Sequence, residues 1–127
     1  MTEQYIPWVV KNGLSARLNV VKIEDNNEGL FIYMKEARVE SPKEFFIKFD
    51  PYVCYKNTDE RYRARTFSLT GGFSHSLNIV NDSEWLKEFH VESEGYYADD
   101  EIIHYSIITD ADCLDILSEF PPEFIYF

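Results

Sequence analysis

Apolar residues in the first half of the chain fall largely on alternate positions. Ala16, Leu18 and Val20 alternate with Arg17 and Asn19 before the pattern slips at Val21, which predicts a half-buried strand carrying a bulge. Glu24-Asp25-Asn26-Asn27-Glu28-Gly29 supplies a turn. Leu30 to Lys35 is aromatic and β-branched enough to be the returning strand, so residues 16–35 read as a hairpin. Ser41-Pro42 breaks the run, and Glu44 to Phe49 gives another strand. Asp50-Pro51 closes it, because the residue before a proline is pushed out of the helical region.

Residues 51–72 support two readings. Tyr52 to Tyr55 reads as strand, and Asn57 to Glu60 as a turn or a single helical turn. Arg61 to Leu69 has period two, with Arg61, Arg63 and Arg65 on one side and Tyr62 and Ala64 on the other, while a short helix competes for the same residues. Gly71-Gly72 turns the chain into Phe73 to Val80, where Phe73, Leu77 and Ile79 share a parity.

The second half brings helical spacing. Asn81 is placed to cap a helix running to about Glu94, with Glu84 completing a capping box, and Gly95 is placed to end it. Trp85, Leu86, Phe89 and Ser93 fall on one face of that helix. Glu101 to Ile108 is an apolar run around His104. A second, shorter helix is expected after Thr109, with Asp112 in the capping-box position and Leu114, Ile116 and Leu117 facing the core, until Pro121-Pro122 stops it. The tail Phe124 to Phe127 is too apolar for a free end and is expected to dock or to add an edge strand. Early strands and late helices without βαβ alternation predict a single α+β domain, residues 1–127, with a largely antiparallel sheet and about two helices in the C-terminal half.

Composition narrows the class. The 127 residues are enough for one real core, and 45% hydrophobic with 17% aromatic content is too rich for a disordered acidic chain. Cys54 and Cys113 lie far apart without CxxC or Cys/His spacing, and Met1 leads into polar Thr2-Glu3-Gln4, so a reduced, cytoplasmic protein with buried thiols is expected. The longest apolar runs are a few residues, far below the roughly 20 of a membrane-spanning helix.

Charge changes the picture most. Residues 82–123 hold 13 Asp/Glu and one Lys, whereas residues 1–81 hold 10 acids and 11 bases, so the whole net charge of −11 belongs to the C-terminal third. Such a field attracts basic partners and disfavours nucleic acid and anionic membrane. Glu84, Glu88 and Glu92 stand at i, i+4 and i+8, where each like-charge pair costs ~0.2–0.5 kcal/mol. Capping accounts for Glu84 and helix-dipole preference for Asp110 and Asp112. Glu88, Glu92, Asp99, Asp100 and Asp115 have no local structural reason.

No strong catalytic motif is present. His90 and Glu94 have acceptable ligand spacing, but no second histidine stands a helical turn away, so neither a metal nor another cofactor is expected. His104 in an apolar strand reads as a core histidine. Cys54 and Cys113 lack a positioned base, and Thr70-Gly71-Gly72-Phe73 lacks the lysine and helix of a phosphate loop. The arginines at 61, 63 and 65 are expected to pair within the chain, with Asp59, Glu60 or the C-terminal acids, rather than to bind nucleic acid.

The segments Asn81 to Ser93, Ile103 to Ile107 and Asp112 to Ser118 resemble the C-terminal part of small bacterial proteins of unknown function, a likeness that implies no activity. In size, acidity and lack of a catalytic motif the chain is also similar to the immunity proteins of bacterial polymorphic toxin and contact-dependent inhibition systems. That likeness is one of type and carries over no residue. It implies a small α+β domain that is not an enzyme and that binds one toxin domain, often a basic nuclease; the alternative readings are a small enzyme or metal-binding protein using His90, Glu94 and His104, and an adaptor that binds another protein. The expected partner surface comprises Glu84, Glu88, Glu92, Asp99, Asp100 and Asp115, with Tyr96, Tyr97 and Tyr105 as aromatic anchors.

Overall fold

A computed structural model of the chain describes residues 3–8 and 14–127. Among them are nine strands in two antiparallel sheets, a 3-10 turn and two helices, an α+β fold. One sheet has the order β1 (Gln4–Pro7), β6 (Leu77–Asn81), β7 (Ile103–Ile108), β8 (Asp112–Ser118) and β5 (Cys54–Asp59). The other has the order β2 (Leu18–Asn26), β3 (Gly29–Glu36), β4 (Glu44–Phe49) and β9 (Glu123–Tyr126).

Alternation forms the expected hairpin of β2 and β3 and the expected strand β4, although β2 continues through Glu24-Asp25-Asn26 and the turn shrinks to Asn27-Glu28. The β2–β3 register shifts between Val20 and Lys22, which turns Val21 out to solvent at the bulge. Asn26 accepts the Glu28 N–H at 2.8 Å to shape the turn, and Gly29 follows at φ 134°, where a Cβ would lie 2.8 Å from the Phe49 carbonyl oxygen. The tail forms β9 on β4, pairing Phe45 with Tyr126 and Ile47 with Phe124.

The sheets pack face to face. Leu30, Ile32, Met34, Phe45, Ile47 and Phe49 meet Leu77, Tyr105, Ile107, Leu114 and Ile116 in one buried cluster. The opposite face of the five-stranded sheet is covered as well. Arg63 of the 3-10 turn (Glu60–Arg63) and Phe67 of α1 (Ala64–Thr70) pack there with Tyr5 and Phe73, and Trp85 of α2 (Glu84–Glu92) packs on His104. Inner strands β7 and β8 are therefore buried on both faces.

Three local expectations are corrected. Residues 112–118 are strand β8, not a second helix: burial on both faces removes the period-two signal, and the surviving apolar run imitates helical spacing. Asp112 caps nothing, since the Thr109 hydroxyl accepts the N–H groups of Ala111 and Asp112 in a turn. The cap of α2 is Ser83, whose hydroxyl accepts the Leu86 N–H at 3.0 Å, while Asn81 ends β6 against Gln4 and the Glu84 N–H goes to Glu3. Of the two readings for residues 61–70, the helical one holds.

Candidate functional site

Helix α2 and the turns after it carry most of the expected surface. Glu84, Glu88 and Glu92 are exposed on α2, Asp99 is exposed and Asp100 half-buried in the following turns. Lys87 is the only Lys or Arg between positions 82 and 101, and it pairs with Glu84 at 3.4 Å. Glu88, Glu92, Asp99 and Asp100 have no ion-pair partner among the described residues. Two apolar groups stand out of this acidic ground, Val91 at 79% exposed and Tyr96 at 81%. Tyr97 is half-buried, its ring 5.0 Å from Phe89 and 4.9 Å from Tyr96, so it supports Tyr96 from below.

Two expected surface residues are interior. Tyr105 points between the sheets against Trp8 and Phe49, with ring centroids at 4.9 and 5.3 Å, and cannot anchor a partner. Asp115 is fully buried on the helix-facing side of β8. Strand alternation decides both placements: along β7 Tyr105 enters the core with Ile107, and along β8 Leu114 and Ile116 enter it and force Asp115 to the other face.

Asp115 lies at the middle of a buried polar chain. Its Oδ2 accepts Arg63 Nη1 at 2.7 Å and its Oδ1 accepts His104 Nε2 at 2.7 Å. His104 Nδ1 lies 2.7 Å from the Ser83 hydroxyl, and Arg63 Nη2 donates to the Tyr5 hydroxyl at 3.0 Å. With the imidazole neutral, Nδ1 accepts the Ser83 proton and Nε2–H goes to Asp115. Burial pushes the Asp115 carboxyl up, but the hydrogen bond and electrostatic pull of His104 and the positive charges of Arg63 and Lys56 outweigh it and hold the group below the usual carboxylate range. Burial also pushes the Tyr5 hydroxyl up to about 12. The expected pairing of the arginines within the chain is met by Arg61 on Asp59 and by Arg63 on Asp115, while Arg65 has no ion pair among the described residues.

Ser83, His104 and Asp115 have the residue types of a nucleophile relay, yet the arrangement is built as a lock. Ser83 is 4% exposed with its oxygen already holding the Leu86 N–H, and the acid that would steady an imidazolium is matched by Arg63. The chain fastens the first turn of α2, and with it the acidic face, to the centre of the five-stranded sheet. Sequence reading missed it because its five members lie on five separate elements. The one available signal was a charged residue, Asp115, inside an apolar run.

A cleft of about 450 Å³ opens beside the lock, lined by Leu86, Lys87, His90, Glu101 and Ile103 among others. His90 Nδ1 is buried without a partner. Among the described residues no three His, Cys, Asp or Glu side chains are grouped to hold a metal ion. Burial raises both thiols, that of Cys113 to about 11, which disfavours the reactive thiolate. No helix of the described residues is long and apolar enough to cross a membrane. No protein-family model, curated protein or solved structure matches the chain.

Proposed function

We propose that this protein is a binding protein of the immunity type, which captures a basic toxin domain through α2 and the turns that follow it. The supporting observation is the unpaired acidity of Glu88, Glu92, Asp99 and Asp100 around the exposed Val91 and Tyr96. A solvated face needs no like charges stacked at i, i+4, and it needs no apolar side chain nearly four-fifths exposed among them. A partner supplies a reason for both. The field steers a basic domain at high rate, and Val91 and Tyr96 become desolvated anchors once it docks. A nuclease suits this surface because its active-site cleft must hold phosphate and is therefore basic.

The test is titration of the protein with a toxin domain encoded beside its gene. Binding should inhibit the toxin and weaken steeply with salt. Glu88→Lys combined with Glu92→Lys should slow association, and Tyr96→Ala should speed dissociation. Tight binding indifferent to salt and to all three substitutions would remove this face from the interface.

A further inference from the structure

The outer side of the four-stranded sheet, on the far side of the molecule from α2, carries a second surface of different chemistry. Alternation that sends Ile32, Met34, Phe45 and Ile47 inward sends Phe31, Tyr33, Phe46 and Ile125 outward, with Phe127 beside them. Phe46 lies 5.6 Å from Phe31, 5.3 Å from Tyr33 and 5.7 Å from Phe127, so the rings form one continuous patch. Phe127 is 77% exposed. The charges on this side are balanced: Lys22, Lys35 and Lys48 against Glu24, Glu44 and Glu123. An apolar centre with a mixed rim is the anatomy of a protein interface.

We infer that the occupant of this face is a second copy of the chain, docked about a two-fold axis that crosses β4 at Phe46. Glu44 and Lys48 stand two residues on either side of Phe46 on the same strand, so the axis sets each Glu44 opposite the other copy's Lys48. It likewise sets Lys35 opposite Phe31, since both flank Tyr33 on β3, and Lys48 already lies 5.5 Å from the Phe31 ring within one copy. Lys22 meets its own counterpart at the margin but brings Glu24 with it at 3.3 Å. For a chain of net charge −11, self-association is favoured where charge is balanced, and this docking leaves both acidic α2 faces outward and far apart. Four strands about 4.8 Å apart, of 9, 8, 6 and 4 residues and so averaging roughly 22 Å long, give a footprint of about 430 Å² per copy, so the dimer belongs to the small, weak class.

Sedimentation equilibrium of the full chain, with circular dichroism as a folding control, tests this. The wild type should dimerise. Glu44→Lys and Lys48→Glu should each weaken the dimer at least about tenfold, because each acts twice across the axis and turns attraction into repulsion. The double variant E44K/K48E should regain it. A wild type still monomeric at roughly 500 µM, above the range for such an interface, would overturn the inference, as would a dimer unmoved by either single substitution. Because aromatic and lysine side chains on a sheet can also stack nucleotides, a labelled single-stranded oligonucleotide is included. Its binding to monomer, with loss in K48E, would overturn the dimer in favour of that ligand.

Discussion

Arg63 places Nη1 2.7 Å from Oδ2 of Asp115, joining the turn before α1 to a fully buried carboxylate on β8, 52 residues away. The pair is flanked by Tyr5 on Arg63 and by His104 on Asp115, so neither charge is left with vacant bonding capacity on its inner side. A buried pair of this kind is costly to break and cheap to replace. Arg63→Ala and Asp115→Asn should each lose about 3–5 kcal/mol at neutral pH by urea unfolding, whereas Arg63→Met with Asp115→Leu should lie much nearer the wild type. Single variants no worse than the double would mean that the pair is not the fastening point.

Acid should loosen the same point. Asp115 and Glu36 both have lowered pKa values, the first through the balance described above and the second because its carboxylate accepts the backbone N–H groups of Lys43 and Ser15. A carboxyl whose folded value lies below its unfolded value contributes stability that is complete above the unfolded value, about 4, and is lost as pH falls through the folded value. Unfolding free energy should therefore decline below about pH 4. The decline should be shallower in Asp115→Asn, which lacks one of the carboxyls whose value is lowered, and parallel curves would exclude Asp115 as a contributor.

How much of this was legible in the sequence depended on whether a strand had one buried face or two. β2, β3 and β4 alternate because one side faces the core and the other the outer surface, so their strands, the β2–β3 hairpin and the bulge at Val21 were readable. β8 has core on one side and the polar lock on the other, so Cys113 to Leu117 lost its period and was read as helix. The acidic residues of α2 were legible as surface because local helix geometry alone sets their exposure. Asp115 was not, because its partner Arg63 lies on another element, and no spacing rule reports a contact made across 52 residues.

Ser83 joins two functions in one hydroxyl, capping α2 and holding His104. Ser83→Ala should cost more than the roughly 1 kcal/mol of a simple cap, because His104 Nδ1 would be left buried and unpaired. Ser83→Ala combined with His104→Phe should recover part of the loss. Hydrogen exchange would show the first turn of α2 opening more often in the single variant, and an unchanged turn would separate the cap from the lock.

Gly29 is required for close approach as well as for its turn. A Cβ at this position would meet the Phe49 carbonyl oxygen at 2.8 Å and the Asp50 side chain at 2.9 Å, on a backbone at φ 134°. Gly29→Ala should destabilise by about 1–3 kcal/mol. The damage should be centred on the β3–β4 pairing at Leu30 and Phe49, readable as loss of amide protection there, while α2 keeps its protection.

The acids of α2 offer the sharpest separation of structural from functional origin. Glu88 has Glu84 and Glu92 one turn before and after it, and α2 contains no fully buried residue whose packing would depend on them. If the stripe served the fold, neutralising it would destabilise the protein. If it is kept for a basic partner, Glu88→Gln with Glu92→Gln should raise Tm by about 2 °C by relieving like-charge repulsion. The same pair of substitutions should slow association with the partner and flatten its salt dependence. A fall in Tm together with unchanged association would assign the stripe to the fold and remove the main support for a partner at α2.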